Sequence, residues 1–127
     1  MYKAENLKNN ELVAMKKVRI ALTEDGVPMT ILREISLLRH LGKYNHPNIV
    51  KLVDICHGRR QEREMLLFMV FEYVNQDLNA YLSECPPPGL GQEKIKDLMW
   101  QMLCGVDYSS SAGVWAQDKW KGRVGSL

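Results

Sequence analysis

The order of hydrophobic patterns along the chain predicts a fold of the α+β class. Strand-like segments stand near the start and again in the middle, an amphipathic helix separates them, and further helices follow. The 127 residues suit one domain, and a composition of 46% hydrophobic and 25% charged residues is typical of a soluble globular protein. A compact domain with a small sheet and several helices is therefore expected.

Composition and charge exclude several classes of protein. A formal net charge of +2 is too small to indicate a nucleic-acid partner. The longest uninterrupted apolar run, Met65–Phe71, is far shorter than the roughly 20 residues of a membrane span. The three cysteines are an odd number and form no CxxC pair, so we expect reduced thiols, no metal site, and a location in the nucleus and cytoplasm.

The first long strand is predicted at Leu12–Ile20, after a turn that follows a short partner strand, Tyr2–Asn6. Alternate side chains of a strand point to opposite faces of the sheet. One face of this strand is apolar apart from Lys16. That lysine is therefore expected to point toward whatever the sheet buries.

A helix is predicted from Thr30, as N-cap, to about Leu41, after the chain break at Gly26–Pro28. Its apolar arc comprises Ile31, Leu32, Ile35, Leu37, Leu38 and Leu41. Glu34 falls inside this arc, where a carboxylate is costly unless a cation meets it. Lys16 is the obvious cation. In an arbitrary protein such a pair is more often structural than catalytic.

Two more strands are predicted, Asn48–Cys56 and Met65–Val74, with His57–Glu64 as a solvated hairpin loop between them. Asp77 or Asn75 then starts a short helix that runs through Leu82. These segments complete the predicted sheet and begin the helical part.

A longer helix is predicted from about Gln92. Its amphipathic stripe consists of Ile95, Leu98, Met99, Met102 and Val106, which we expect to lie partly exposed. Composition changes abruptly after Tyr108. We therefore divide the chain into a domain at residues 1–108 and a divergent, disordered tail at residues 109–127.

Four motifs in this order resemble the cyclin-dependent protein kinases. VAMK at Val13–Lys16 is similar to the kinase V-A-I-K strand, and PMTILRE at Pro28–Glu34 to the cyclin-binding helix. HPNIV at His46–Val50 resembles the turn after that helix, and Val70–Leu78 the gatekeeper and hinge. Within the family the sequence is most like the D-cyclin-partnered G1 kinases. The resemblance implies an incomplete kinase domain: the antiparallel sheet and αC-type helix of the N-lobe, with the first helices of the C-lobe.

The resemblance also implies roles for particular residues. Lys16 would contact the α- and β-phosphates of ATP, and Glu34 would fix its ammonium group. The adenosine would meet the gatekeeper Phe71, the pocket wall Ala14, backbone groups of Glu72 and Val74, and Asp77 near the ribose. The cyclin, which the resemblance implies to be D-type, would face Pro28, Thr30, Leu32 and Arg33.

Several kinase motifs do not occur in these residues. The sequence contains no Gly-rich loop, no HRD or DFG motif and no APE, although the family implies ATP and Mg²⁺. Phosphoryl transfer depends on positioning and on metal-ion charge stabilisation, so this chain alone is not expected to catalyse it. The function expected is therefore that of a fragment of a cyclin-dependent Ser/Thr kinase. The alternatives are a non-catalytic, cyclin-binding truncated isoform that competes with the intact enzyme, and a product without function.

Overall fold

A computed structural model describes residues 1–111 of the chain and confirms the α+β class. The described residues form two compact units: Met1–Lys43 with Lys51–Tyr73, and Tyr44–Val50 with residues 74–111. The elements are β1 (Tyr2–Asn6), β2 (Glu11–Ala21), α1 (Met29–Gly42), β3 (Leu52–Arg60), β4 (Glu64–Glu72), α2 (Leu78–Glu84) and α3 (Gln92–Ser111).

The first unit is built on a four-stranded antiparallel sheet in the order β1-β2-β4-β3. Strand β4 lies between two neighbours, and its residues Leu67, Met69, Val70 and Phe71 are all at most 8% exposed. A strand covered in this way has a nearly continuous apolar sequence. The long apolar run seen in the sequence is therefore the inner strand of the sheet.

Hairpin β3–β4 is tighter than the sequence predicts. Strand β3 extends to Arg60 and β4 begins at Glu64, so only three residues connect them. The Gln61 N–H donates to the Glu64 carbonyl at 2.8 Å, which closes the hairpin. The prediction of a loop over His57–Glu64 is wrong for His57–Arg60, which belong to β3, and for Glu64, which begins β4, because strand pairing extends to Arg60.

Helix α1 packs against β3 through its C-terminal half. Leu38 and Leu41 are 7% and 3% exposed. The predicted N-cap Thr30 is wrong: the cap is Pro28, whose carbonyl accepts the N–H groups of Ile31 and Leu32. Proline has a fixed φ that suits the entry to a helix, so the helix starts before Thr30 and that residue lies in its first turn.

The second unit contains α2 and α3. The prediction that the stripe of α3 lies partly exposed is confirmed, since Leu98 is 4% exposed while Ile95, Met99 and Val106 are 46–55% exposed. The helix continues to Ser111, so the first three residues of the predicted tail are helical. The Ser109 and Ser111 hydroxyls donate to carbonyls four residues back, which satisfies these polar groups within the helix. The remainder of the predicted tail lies outside the described residues.

The turn before β3 is tied to α3 within this second unit. The His46 and Tyr108 rings stack with centroids 4.6 Å apart. The Asn48 N–H donates to His46 Nδ1 at 3.1 Å. His46 is thus a structural residue of the turn.

Replacing His46 by alanine removes both the ring stack and an acceptor for the Asn48 N–H. We expect His46→Ala to lower the free energy of unfolding by about 1–2 kcal/mol, measured by chemical denaturation of the full chain. The matched control is His40→Ala, at an exposed position of α1, which should change stability by less than about 0.5 kcal/mol. If the two substitutions lower the free energy of unfolding equally, the His46–Tyr108 stack does not contribute to stability.

Candidate functional site

A cavity of about 280 Å³ lies between the sheet and the first two turns of α1. We call it the α1 cavity. Its walls are formed by Lys16, Lys17, Val18 and Arg19 of β2, Ile31, Glu34 and Ile35 of α1, and Leu67 and Met69 of β4. The two residues that the sequence predicts as a pair, Lys16 and Glu34, therefore line one cavity.

Local structure brings Lys16 and Glu34 to this place. Along β2, Lys16 lies on the same face as Ala14 and Val18, and it pairs with Met69 of β4 in the sheet register. On α1, residues three and four apart share a face, which groups Glu34 with Ile31 and Ile35. The strand period of two and the helix period of 3.6 thus direct both groups toward the same space.

Burial of the pair differs from the sequence prediction. Lys16 is half-buried, whereas Glu34 is exposed and the flanking Ile31 and Ile35 are only half-buried. Glu34 was predicted inside the buried arc of the helix. The prediction is wrong in this respect because the N-terminal half of α1 stands over an open cavity and not over packed side chains.

Ala14 and Phe71, the predicted adenine wall and gatekeeper, are direct neighbours across the β2–β4 pair. Phe71 is 7% exposed and also pairs with Leu52 of β3. Ala14 is half-buried. The small Ala14 and the large Phe71 therefore form an apolar cross-strand pair, two residues along β2 from Lys16.

Glu72 ends β4 in a fixed position. Its N–H donates to the Lys51 carbonyl at 3.0 Å, and its carboxylate accepts the Lys51 N–H at 3.3 Å. These contacts hold the strand end whose backbone the resemblance assigns to adenine. The structural role of the Glu72 side chain carries no signal in the sequence.

Val74 and Asp77 belong to the second unit, whereas Ala14, Lys16, Glu34, Phe71 and Glu72 belong to the first. Val74 is half-buried and Asp77 is exposed. Asp77 is the N-cap of α2, and its carboxylate accepts the Ala80 N–H at 2.8 Å. One of the two predicted starts of this helix is thereby confirmed, and the helix extends to Glu84.

The hydrogen bond from the Ala80 N–H to the Asp77 carboxylate can be tested by two substitutions of Asp77. Asp77→Ala should destabilise α2 by about 1 kcal/mol, whereas Asp77→Asn should keep the cap because asparagine caps as well as aspartate. Hydrogen exchange at the Ala80 amide measures the difference. If exchange there is equally fast in both variants, the side chain does not cap the helix.

The predicted partner-binding residues lie at the start of α1. Thr30, Leu32 and Arg33 are exposed and Pro28 is half-buried. Leu32 is 47% exposed. Two further apolar residues of α1, which the sequence did not assign to the partner, are also exposed: Met29 at 63% and Leu37 at 42%. Leu37 was predicted within the apolar arc toward the sheet, where it does not lie. These three apolar side chains are exposed on α1 among the exposed polar residues Arg33, Ser36 and His40.

One contact near the hinge has no sequence signal. The Lys3 ammonium lies 4.9 Å from the centre of the Tyr73 ring, within the range of a cation–π interaction. Strand β1 is thereby joined to the residue that follows β4. In residues 1–111, no group of three or more His, Cys, Asp or Glu side chains is placed to hold a metal ion, and no helix is long and apolar enough to cross a membrane.

Comparison with known proteins decides the family. The profile of the protein kinase domain matches residues 1–118. The chain belongs to the protein kinase family. It is 49% identical over 108 residues to cyclin-dependent kinase 4 of Xenopus laevis, covering 85% of this chain and 34% of that protein.

Mammalian relatives give the same result. Identity is 43% over 111 residues with cyclin-dependent kinase 4 of Mus musculus and 45% over 111 residues with that of Ovis aries, each match covering 85% of this chain and 37% of the relative. The chain thus spans about a third of the length of the curated relatives that it matches. The sequence prediction of a fragment similar to cyclin-dependent kinases is confirmed.

The family also explains the fold. The antiparallel sheet with α1 corresponds to the kinase N-lobe, and α2 and α3 to the first helices of the C-lobe. Lys16 and Glu34 lie on β2 and α1 of this lobe, and both line the α1 cavity.

Proposed function

We propose that this chain is the nucleotide- and cyclin-binding part of a cyclin-dependent Ser/Thr protein kinase. The observation that carries the proposal is the placement of Lys16, on an inner strand, and Glu34, on α1, in the wall of one cavity. The whole kinase would transfer the γ-phosphate of ATP to protein Ser/Thr in cell-cycle control, with a D-type cyclin as partner.

The residues present fit a nucleotide. The apolar pair of Ala14 and Phe71 suits an adenine ring, and the ammonium group of Lys16 suits the α- and β-phosphates. Glu34 would orient that ammonium group. The family likeness adds the backbone groups of Glu72 and Val74 for adenine and the carboxylate of Asp77 for the ribose.

Mg²⁺, the ion that accompanies ATP in this family, is assigned here to none of the described residues, and residues 1–111 contain no group of three or more His, Cys, Asp or Glu side chains placed to hold a metal ion. The 127 residues also contain no HRD or DFG motif, whose acidic residues accept the substrate proton and bind the ion. We therefore propose that this chain binds nucleotide and partner without transferring phosphate. No step of the transfer is assigned to it.

A second candidate function is that of a competitor. The exposed apolar side chains of α1, Met29, Leu32 and Leu37, favour a module that captures cyclin and withholds it from intact kinases. This reading needs no nucleotide. The two candidate functions differ in one expectation: a competitor should still bind cyclin when the nucleotide site is blocked.

The nucleotide proposal is tested by filling the space opposite Phe71. Ala14→Leu places a larger side chain beside Phe71. This substitution should abolish ADP binding, as measured by titration calorimetry. The matched control, Ala21→Leu, makes the same substitution at an exposed position of the same strand and should leave ADP binding unchanged. ADP binding that persists in Ala14→Leu, or fails equally in both variants, contradicts the proposed site.

A further inference from the structure

Four apolar residues form a row along one side of α3. Ile95, Met99 and Val106 are 46%, 49% and 55% exposed, and Met102 is half-buried. We call these four residues the α3 row. They are spaced by four, three and four residues, which is the spacing of the a and d positions of a coiled coil. The α3 row therefore has the pattern of one half of a seam between two helices.

The α3 row is separate from the buried side of the helix. That side carries Leu98, Gly105 and Ser109. Leu103 and Trp100, which are 59% and 69% exposed, widen the apolar surface next to the row. Soluble monomers rarely expose large contiguous apolar patches, and the patches that they do expose often bind a partner. The row is therefore a candidate for an interface.

The order of residues in the α3 row suits a second copy of the same helix. If two copies of α3 run antiparallel about a two-fold axis near residues 100–101, Ile95 of each chain meets Val106 of the other. Met99 of each chain then meets Met102 of the other. Every residue of the row thus has an apolar partner from the row, and the symmetry makes the contacts the same for both chains.

One pair of charges favours the same antiparallel arrangement. Lys96 and Asp107 are both exposed, and the helix period places them on one flank of the row, about 20° apart around the axis. Along one helix they are about 16 Å apart, too far to pair. In an antiparallel dimer this flank is shared, so Lys96 of each chain lies beside Asp107 of the other. A parallel pair would set Lys96 against Lys96.

The contact that Lys96 makes in the single chain does not prevent this pairing. Lys96 lies 3.3 Å from Glu93, but both side chains are highly exposed, and such surface pairs contribute little. We propose that the α3 row is the interface of a symmetric, antiparallel dimer of this chain.

Analytical ultracentrifugation of the full chain tests the proposal. We expect a reversible equilibrium that stops at the dimer, because a two-fold interface is closed. Val106→Lys should weaken the dimer at least about tenfold, since it places a charge without a partner in the seam. The matched control, Val53→Lys at a 48% exposed position of β3, should dimerise like the wild-type chain.

Three results of this experiment would overturn the proposal. The first is a chain that is monomeric at every concentration, which is the result expected if residues 112–127 cover the row. The second is association without limit, which would mean nonspecific aggregation. The third is an equal effect of Val106→Lys and Val53→Lys, which would place the contact elsewhere.

Exchange of the charges tests the antiparallel orientation. Lys96→Glu and Asp107→Lys each set like charges against each other twice in a dimer, so each variant alone should dimerise about tenfold more weakly. A mixture of the two variants restores both attractions, and a mixed dimer should form with about the wild-type affinity. Because the two residues cannot pair within one chain, only contact between chains explains such a rescue. If the mixture associates no better than its separate components, the proposed interface is wrong.

Discussion

Leu32→Glu is expected to abolish capture of a D-type cyclin by this chain. Leu32 is 47% exposed on α1, and the proposed interface uses its apolar side chain. A carboxylate there would be buried without a partner, and the loss of a central apolar contact typically costs about 2–4 kcal/mol at an interface. That cost corresponds to a weakening of roughly 30- to 1,000-fold, which biolayer measurements on immobilised cyclin detect readily.

Two controls separate this effect from a general loss of structure. Leu82→Glu makes the same substitution at a residue of α2 that is 48% exposed, and cyclin capture should persist. Glu34→Ala should also hardly alter capture, because Glu34 faces the α1 cavity and is assigned to Lys16. If Leu32→Glu and Leu82→Glu weaken capture equally, the outer surface of α1 is not the interface.

Lys16→Met is expected to remove most of the affinity for ADP. Methionine keeps the apolar part of the side chain and fills the same wall of the cavity, but it has no ammonium group for the phosphates. A hydrogen bond to a charged group contributes about 1.5–3 kcal/mol, so binding should weaken roughly 10- to 150-fold. Titration calorimetry with ADP measures the change.

The neighbouring lysine is the natural control for this prediction. Lys17 is exposed and pairs with Phe68 in the sheet register, which places it on the opposite face from Lys16. Lys17→Met should therefore bind ADP as the wild-type chain does. An equal loss of ADP affinity in the two variants would mean that the overall positive charge of the chain, and not Lys16 itself, binds the phosphates.

Much of this site follows from local periodicity, which a sequence displays directly. The alternation of β2 places Ala14 and Lys16 on one face, and the spacing on α1 places Glu34 beside Ile31 and Ile35. These relations depend only on the geometry of a strand and a helix. They were predictable for that reason, and in the structure Lys16 and Glu34 line the same cavity.

The wrong predictions concern properties that depend on residues distant in sequence. The exposure of Glu34 and Leu37 is set by how closely α1 approaches the sheet, which no pattern within the helix reports. The N-cap is Pro28 and not Thr30, because the fixed φ of proline suits a helix start two residues earlier. The end of α3 at Ser111 was missed because serine's weak helix propensity can be overridden by hydrogen bonds within the helix.

The family resemblance contributed what periodicity could not. No pattern distinguishes Phe71 from any other buried strand residue, or assigns the outer surface of α1 to a partner. Those roles came from motifs in a fixed order, and the match of the protein kinase profile to residues 1–118 supports that order. The roles themselves remain for experiments such as those above.

Chemical labelling of lysine tests the central claim, that Lys16 meets the phosphates of a bound nucleotide, most directly. An acyl-phosphate derivative of ATP transfers its acyl group to the amine nearest the phosphates, and mass spectrometry identifies the lysine modified. We expect labelling concentrated on Lys16 and suppressed by excess ATP, while the exposed Lys17 is labelled only at background. Labelling spread over the surface lysines and insensitive to ATP would contradict the account.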